Sequence, residues 1–353
     1  MRFGLIGAGA IGAVRCDALR QSGRCELVAI HDLDEGRAKS VSPEVRFHAD
    51  SPSLLASDDI DAVIISTPPN THEDLATAAL KAGKHVLLEK PMAPTIDACA
   101  RMAKTAAQTG RLLTVGYNHR YFEAAKLVRD AVRNAEIGAL THVRVYAGHT
   151  GLSEFKARWM YDAKVMGGGA LLDNGTHVID LLRYIMGDAD EVVGMASSKV
   201  WNLPGVEDNG FGLIRSSNGV IGSIEASWSE WKGYRFHIEA YGDRGMARAY
   251  YAPMMATVIR MDEPGGKPDF VRHFFPKSIL REKFKGWQST VVRTFDEELT
   301  DFVRLAADPG TEDLHIARAH DGMRAVEIAK AIYTSSANGG TVRLSALDAA
   351  GGS

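Results

Sequence analysis

Short apolar runs alternate with helix-period stretches through the first 120 residues of this 353-residue chain. Arg2–Ile6, Glu26–His31, Ala62–Ser66, Val86–Glu89 and Leu112–Val115 predict buried strands. Between them, Ala13–Gln21, Glu35–Lys39, Thr71–Ala82 and Ile96–Thr109 predict helices, with Gly83 and Gly110 placed where C-caps belong. Such alternation implies parallel pairing with right-handed crossovers. After about residue 121 the rhythm changes. Phe122–Asn134 and Gly175–Ile185 predict helices, but most of the remaining chain alternates in strand fashion: Thr141–Ala147, Glu191–Val200, Gly210–Ile214, Val220–Ser227, Phe236–Tyr241 and Ala247–Tyr251. Gly242-Asp243-Arg244-Gly245 is a hairpin turn by composition. Two long helical patterns, Thr290–Ala306 and Ile316–Ser335, precede a strand near Val342–Leu344, and the Gly/Ala/Ser tail from Ala349 is expected to fray. The fold class is α/β: a doubly wound parallel sheet over residues 1–120, then an α+β domain over 121–348 with an open, mostly antiparallel sheet.

Composition narrows the partners. A formal net charge of -3 offers no basic stripe for nucleic acid. Charged residues interrupt every apolar run well short of a membrane span. Met1 leads straight into the first predicted strand, which leaves no room for a signal peptide. Cys16, Cys25 and Cys99 are odd in number and lack CxxC spacing, so neither a disulfide framework nor a zinc site is indicated. The expectation is a cytoplasmic, reduced protein without metal.

Gly7-Ala8-Gly9-Ala10-Ile11-Gly12 follows a predicted strand and opens a predicted helix, the context of a dinucleotide cradle. Gly7 permits the tight turn, Gly9 admits the pyrophosphate, and Gly12 lets helix pack on strand. Asp32, twenty residues beyond Gly12, is placed to accept from ribose hydroxyls and to repel a 2′-phosphate. NAD is therefore expected over NADP, although Arg37 lies close enough to soften that preference. The loop Ser66-Thr67-Pro68-Pro69-Asn70-Thr71-His72 leaves the same sheet edge. Thr67, Pro68, Asn70 and His72 are candidate cofactor contacts, and a stiff connection with a capping residue is an equal alternative.

Glu89-Lys90-Pro91 ends the run His85–Leu88, so Lys90 stands at the carboxyl edge where ligands of open α/β sheets bind. A fixed cation there can stabilise the alkoxide formed as hydride leaves a carbinol. The second chemical signal is Gly167-Gly168-Gly169 followed by Asp173 and His177. Their i,i+4 spacing puts both on one face if the segment is helical. A carboxylate beside an imidazole fixes its tautomer and raises its pKa from about 6.5, which suits a general base. The glycines allow close backbone approach and a flexible entry.

Taken together, the glycine loop, Glu89-Lys90-Pro91 and Gly168-Gly-x-x-x-Asp173-x-Gly175-x-His177 resemble the glucose–fructose oxidoreductase / inositol dehydrogenase / rhizopine-catabolism (Gfo/Idh/MocA) family, in order, over nearly the whole chain. The resemblance implies a Rossmann domain and a C-terminal domain whose open sheet often makes oligomer contacts, hence a homodimer or homotetramer. It implies Lys90 near nicotinamide and substrate oxygen, with Glu89 in the same cofactor-proximal motif. His177 is then the acid/base, and Asp173 its partner or a substrate ligand. It also implies a cis peptide before Pro91 that aims Lys90 at the crevice. Asn174, at a position that varies, helps select the substrate. Asn118, His119 and Arg120 match a segment that touches cofactor or substrate, an interdomain polar network being the alternative. Lys156, Arg158, Trp159 and Tyr161 are expected on the substrate side, with a Trp or Tyr stacking on a sugar face or packing in the core.

Residues 260–293 carry eight Lys/Arg against four acids, with five Phe/Trp interspersed. Either a phosphate-recognising stretch or a solvated loop with buried anchors fits. The leading function is an NAD-dependent dehydrogenase acting on a secondary alcohol of a sugar, nucleotide sugar or cyclitol. A cofactor-sensing regulator, and a hydrolase or lyase using NAD as an internal relay, are the competing classes.

Overall fold

The computed structural model describes residues 1–153, 157–312 and 314–345, and Lys156 lies outside them. In chain order the first elements are β1 (Arg2–Ile6), α1 (Ala10–Gln21), β2 (Glu26–His31), α2 (Glu35–Val41), β3 (Arg46–Phe47), α3 (Ser51–Leu55), β4 (Ala62–Ile65), α4 (His72–Lys81), β5 (His85–Leu88), α5 (Ile96–Thr109) and β6 (Leu113–Val115). The predicted strands and helices are all present here. Only the brief β3 and α3 were not expected, both being too short to carry a period.

The next stretch holds α6 (Glu123–Arg133), β7 (Leu140–Gly148), α7 (Ala163–Met166), α8 (Gly175–Met186), β8 (Ala189–Ser197), β9 (Asn209–Ser216), β10 (Ile221–Ser227), β11 (Arg235–Gly242), β12 (Gly245–Tyr251), β13 (Met255–Arg260), β14 (Asp269–Phe274) and α9 (Pro276–Lys285). The last elements are α10 (Gln288–Ala307), β15 (Ala317–Arg318), α11 (Ala319–Asn338) and β16 (Val342–Arg343). The predicted hairpin turn joins β11 to β12, whose residues pair from Phe236↔Tyr251 to Gly242↔Gly245.

The chain packs as two units. The first takes in Met1–Asn118 and, after a long excursion, Glu282–Met323. Among the described residues its sheet runs β15-β6-β5-β4-β1-β2-β3, parallel except for β15. The strand order reverses between β1 and β4, the point at which such sheets bind ligands. Ala317–Arg318 was expected to open a helix, but it pairs with Val115 and Thr114 at the sheet edge, and the helix starts only at Ala319. Residues Val292, Phe295, Leu299, Phe302 and Leu305 line one stripe of α10 and join the core that covers the sheet. Phe302 meets Phe3 of β1 with ring centroids 5.6 Å apart.

Among the described residues the second unit comprises His119–Arg281 and the chain from Arg324 to Ser345. Its sheet runs β14-β13-β12-β11-β7-β10-β9-β8-β16, and among the described residues only β7 and β10 pair in parallel. Buried residues alternate with exposed ones along β9 and with half-buried ones along β12, as expected of a sheet buried more deeply on one face. The basic aromatic stretch is neither a loop nor buried. It forms the edge strand β14 and helix α9, and Phe270, Phe274, Phe284 and Trp287 are exposed.

A charge cluster lies inside the first unit. Arg15 of α1 is wholly buried and donates from Nε to Glu89 Oε1 at 2.7 Å. Its Nη2 is 2.6 Å from the same oxygen, close but off the line of N–H donation. Nη1 pairs with Glu298 of α10, and the guanidinium lies 3.5 Å over the Phe295 ring. One cation among two carboxylates is neutral when the pair carries a single proton. Glu298 is where that proton belongs: its Oε1 is buried without a donor among the described residues, and burial pushes its carboxyl up to about 7 against the pull of Arg15. A raised folded pKa contributes stability that is complete below the ordinary value of 4.5 and is lost as pH rises through about 7. Glu298→Gln, which keeps the shape and cannot ionise, should therefore flatten the decline in melting temperature between about pH 5 and pH 7. A wild-type slope in that variant would place the proton elsewhere.

Candidate active site

In the first unit the glycine loop is shaped by what surrounds it. Gly7 has φ +97°, and a Cβ there would lie 2.8 Å from the Ser66 carbonyl. A Cβ on Gly12 would lie 2.1 Å from the Gly7 oxygen. Gly9 differs, because a Cβ there meets nothing within 4 Å. Its smallness serves no protein contact, which fits a position kept open for a phosphate group. Gly9 is the N-cap of α1 and contributes no side-chain cap, while Ala10 and Ile11 are exposed. The first helical N–H groups thus face open space. Asp32 closes one side of the loop. Its Oδ2 accepts the Ala8 N–H at 2.7 Å and its Oδ1 the Asp34 N–H at 2.9 Å, with Arg37 Nη1 3.4 Å away. These residues fit a bound dinucleotide.

The loop after β4 is mostly scaffold. Thr67 Oγ1 pairs with Thr71 Oγ1 at 2.7 Å, and Thr71 Oγ1 donates back to the Pro68 carbonyl at 2.8 Å. Pro69–Thr71 is a 3-10 turn, and Asn70 is exposed on it. His72 is fully buried, with Nδ1 3.1 Å from Pro91 O and Nε2 2.9 Å from Thr67 O. Burial pushes its pKa down, opposed by these backbone carbonyls. Both ring nitrogens face backbone carbonyls, so His72 sits between the β4 loop and the Lys90–Pro91 turn. The Lys90–Pro91 peptide is cis, as the family resemblance implied. Glu89 points inward to Arg15, and Asn118 Nδ2 donates to Thr294 Oγ1 of α10 at 3.1 Å.

In the second unit the segment around Asp173 and His177 is held from several sides. Regular helix begins at Gly175, so Asp173 sits in the turn before α8 and not within its first turn. Asp173 Oδ2 accepts from His149 Nε2 at 2.9 Å and from Trp228 Nε1 at 3.1 Å. The Gly151 N–H donates to His149 Nδ1 at 3.0 Å, which assigns the ring proton to Nε2 and makes it the donor to Asp173. His149, at the end of β7, was not singled out from sequence; a lone histidine after a strand carries no local signal. His177 stacks on His119 with centroids 3.8 Å apart and planes inclined by 25°, and His119 Nε2 pairs with the Tyr234 hydroxyl at 2.9 Å.

The glycines ahead of Asp173 are clamped, not flexible. A Cβ on Gly169 would lie 2.1 Å from the Glu207 carbonyl oxygen, and one on Gly168 would lie 2.2 Å from the Tyr333 hydroxyl. Glu207 accepts the N–H groups of Gly169 and Leu171 at 2.8 and 2.7 Å and the Tyr333 hydroxyl at 2.8 Å. Burial pushes the Glu207 carboxyl up, and these donors pull it back. Arg120 and Asn174, two expected substrate contacts, are also held by protein groups. Arg120 is buried and gives Asp180 two bonds of 2.7 and 2.6 Å. Asn174 Nδ2 bridges the carbonyls of Ala147 and Ser227 at 2.8 and 3.3 Å. Arg158 and Trp159 lie exposed on a short 3-10 turn, and Tyr161 meets Trp228 edge-on at 5.3 Å.

Known proteins resemble this chain in sequence and in fold. Residues 1–117 match the oxidoreductase family with an NAD-binding Rossmann fold, and residues 125–248 match the GFO/IDH/MocA C-terminal domain. Myo-inositol 2-dehydrogenase of Thermotoga maritima is 30% identical over 282 residues, covering 78% of this chain and 82% of that one. A 1,5-anhydro-D-fructose reductase of Ensifer adhaerens is 31% identical, covering 69% and 74%. The crystal structure of an oxidoreductase domain protein from Kribbella flavida superposes with a TM-score of 0.85 at 26% identity, covering 98% and 99%. The chain belongs to the Gfo/Idh/MocA family of NAD-binding oxidoreductases that act on CH–OH groups.

Proposed function

We propose that this enzyme interconverts a secondary alcohol and a ketone on a sugar, nucleotide sugar or cyclitol, with Lys90, Asp173 and His177 as its chemical groups. The observation that carries the reading is Asp173: a buried carboxylate oriented by two N–H donors, four residues ahead of the acid–base candidate. A carboxylate so fixed suits a ring carrying several hydroxyls, because it accepts hydrogen bonds from O–H donors with little reorganisation. The names of the myo-inositol and anhydrofructose relatives point the same way.

In oxidation His177 accepts the hydroxyl proton, its ring held in orientation by the stack on His119. The Lys90 ammonium stabilises the oxygen as negative charge grows on it. NAD, when bound by Gly7–Gly12 and Asp32, supplies the hydride acceptor. In reduction the Lys90 and His177 roles reverse.

The same reading holds that the chain self-associates through the outer face of its second sheet. There Val193 and Met195 of β8 lie opposite Leu213 and Phe211 of β9, with Ile221 of β10 on the next strand, all exposed. So many large apolar side chains on one open face mark a contact surface.

NADH formation followed across inositols, free sugars and UDP-linked sugars should reveal one responding class. Lys90→Met and His177→Ala should each lower kcat by about 10²–10⁴-fold while NAD still binds. Full turnover in either variant would remove that residue from the chemistry, and silence of the wild type in both directions would sink the dehydrogenase reading. For the sheet face, Leu213→Lys should convert a wild-type dimer or tetramer to monomer in sedimentation velocity. A monomeric wild type, or an unchanged oligomer in the variant, would end that part of the proposal.

A further inference from the structure

Trp228 connects the Asp173 site to a surface that the reaction does not use. Its indole N–H reaches Asp173, and its backbone carbonyl accepts the indole N–H of Trp201 at 3.0 Å. Trp201 in turn lies 6.0 Å from Trp231, centroid to centroid, with the rings tilted by 57°. Trp228 is wholly buried, whereas Trp231 is 64% exposed. The three indoles therefore lead stepwise from the buried carboxylate to solvent, all within the second unit.

This run is built, not incidental. Asp208 is wholly buried and accepts the N–H groups of Lys199 and Val200 at 2.6 Å each and of Trp201 at 3.2 Å. Its backbone carbonyl also takes the Trp228 N–H at 2.7 Å. A buried carboxylate is costly unless its oxygens are satisfied, and here they are satisfied by the loop that carries Trp201. On the other side, a Cβ on Gly151 would lie 2.6 Å from Trp201 Nε1, so the turn after His149 packs directly on that indole. The same network thus positions Asp173 and Trp201 together.

An indole face open to water matches the C–H face of a saccharide ring while leaving the sugar's hydroxyls hydrated. Trp231 stands two indoles removed from Asp173. Resting on the reading that Asp173 holds the reacting ring, we propose that Trp201 and Trp231 form a subsite for a second sugar ring, so that the preferred substrate is a glycoside and not a free monosaccharide or cyclitol.

Matched pairs test this on the NAD-loaded enzyme: myo-inositol against its α-galactoside galactinol, and glucose against maltose. Saturation-transfer NMR should show the second ring of a glycoside in contact with protein in the wild type and in His177→Ala, and lose that contact in Trp231→Ala. Trp231→Ala should weaken binding of the glycoside about tenfold and leave the parent ring unchanged. Trp201→Phe, which keeps an aromatic face, should weaken it less than Trp201→Ala. Glycosides that bind no better than their parents overturn the subsite, as does a Trp231→Ala effect equal on both members of each pair. A change in oligomeric state with no change in that ratio also overturns it, by assigning Trp231 to a second copy. Binding of the second ring without turnover of either member would instead count against the dehydrogenase reading and leave the subsite standing.

Discussion

A guanidinium with no solvent around it must be surrounded by opposite charge, and Arg15 sets that condition for the first unit. Its two carboxylates come from far along the chain: Glu89 immediately before Lys90, and Glu298 from the helix that returns after residue 281. The helix under the glycine loop, the turn bearing Lys90 and the returning α10 are thereby fixed to one another. Removing Glu89 from such a cluster leaves the buried Arg15 charge uncompensated, worth about 3–5 kcal/mol. The position of Lys90 is thus a consequence of the core beneath it as much as of its own loop, with His72 holding the following residues from the other side.

In the second unit the same task falls to carboxylates satisfied largely by N–H donors. Asp173 takes two from side chains, Glu207 takes two from the turn ahead of α8, and Asp208 takes three from the Trp201 loop. Hydrogen bonds to an ionised acceptor are stronger than those between neutral groups, and they impose direction. Each pins a segment without secondary structure where a helix or strand could not reach. Arg120 and Asn174 are tied into this scaffold as well, through Asp180 and through the carbonyls of Ala147 and Ser227.

The strands of the first unit were readable nearly to the residue because parallel strands buried on both faces must be uniformly apolar. The glycine loop was readable because its constraints act within six residues. Other features were hidden for a common reason. Ala317–Arg318 becomes a strand only because β6 has an edge to pair with. The tie of Asp173 to His149 and Trp228 joins positions 24 and 55 residues away, beyond any local period. Gly168 and Gly169 serve close approach by Tyr333 and Glu207, partners that no spacing rule identifies.

Chemistry and selection consequently occupy different elements. In the proposed reaction a proton acceptor, a cation and a hydrogen-bonding carboxylate can serve any secondary alcohol, so the roles proposed for Lys90, Asp173 and His177 say little about which molecule is bound. Discrimination among sugars requires contacts beyond the reacting carbon, and a missing hydroxyl partner or stacking surface changes affinity by amounts that such contacts can supply. The groups proposed to make them sit on the connections between β8 and β9 and between β10 and β11, where Trp201, Trp228 and Trp231 reside. Loops tolerate exchange far better than the helix and strands they join. Here, however, the first of these loops is tied by Asp208 and Gly151 to the residues that orient Asp173. A change in the recognition surface of this chain must therefore also respect the geometry of its chemical site.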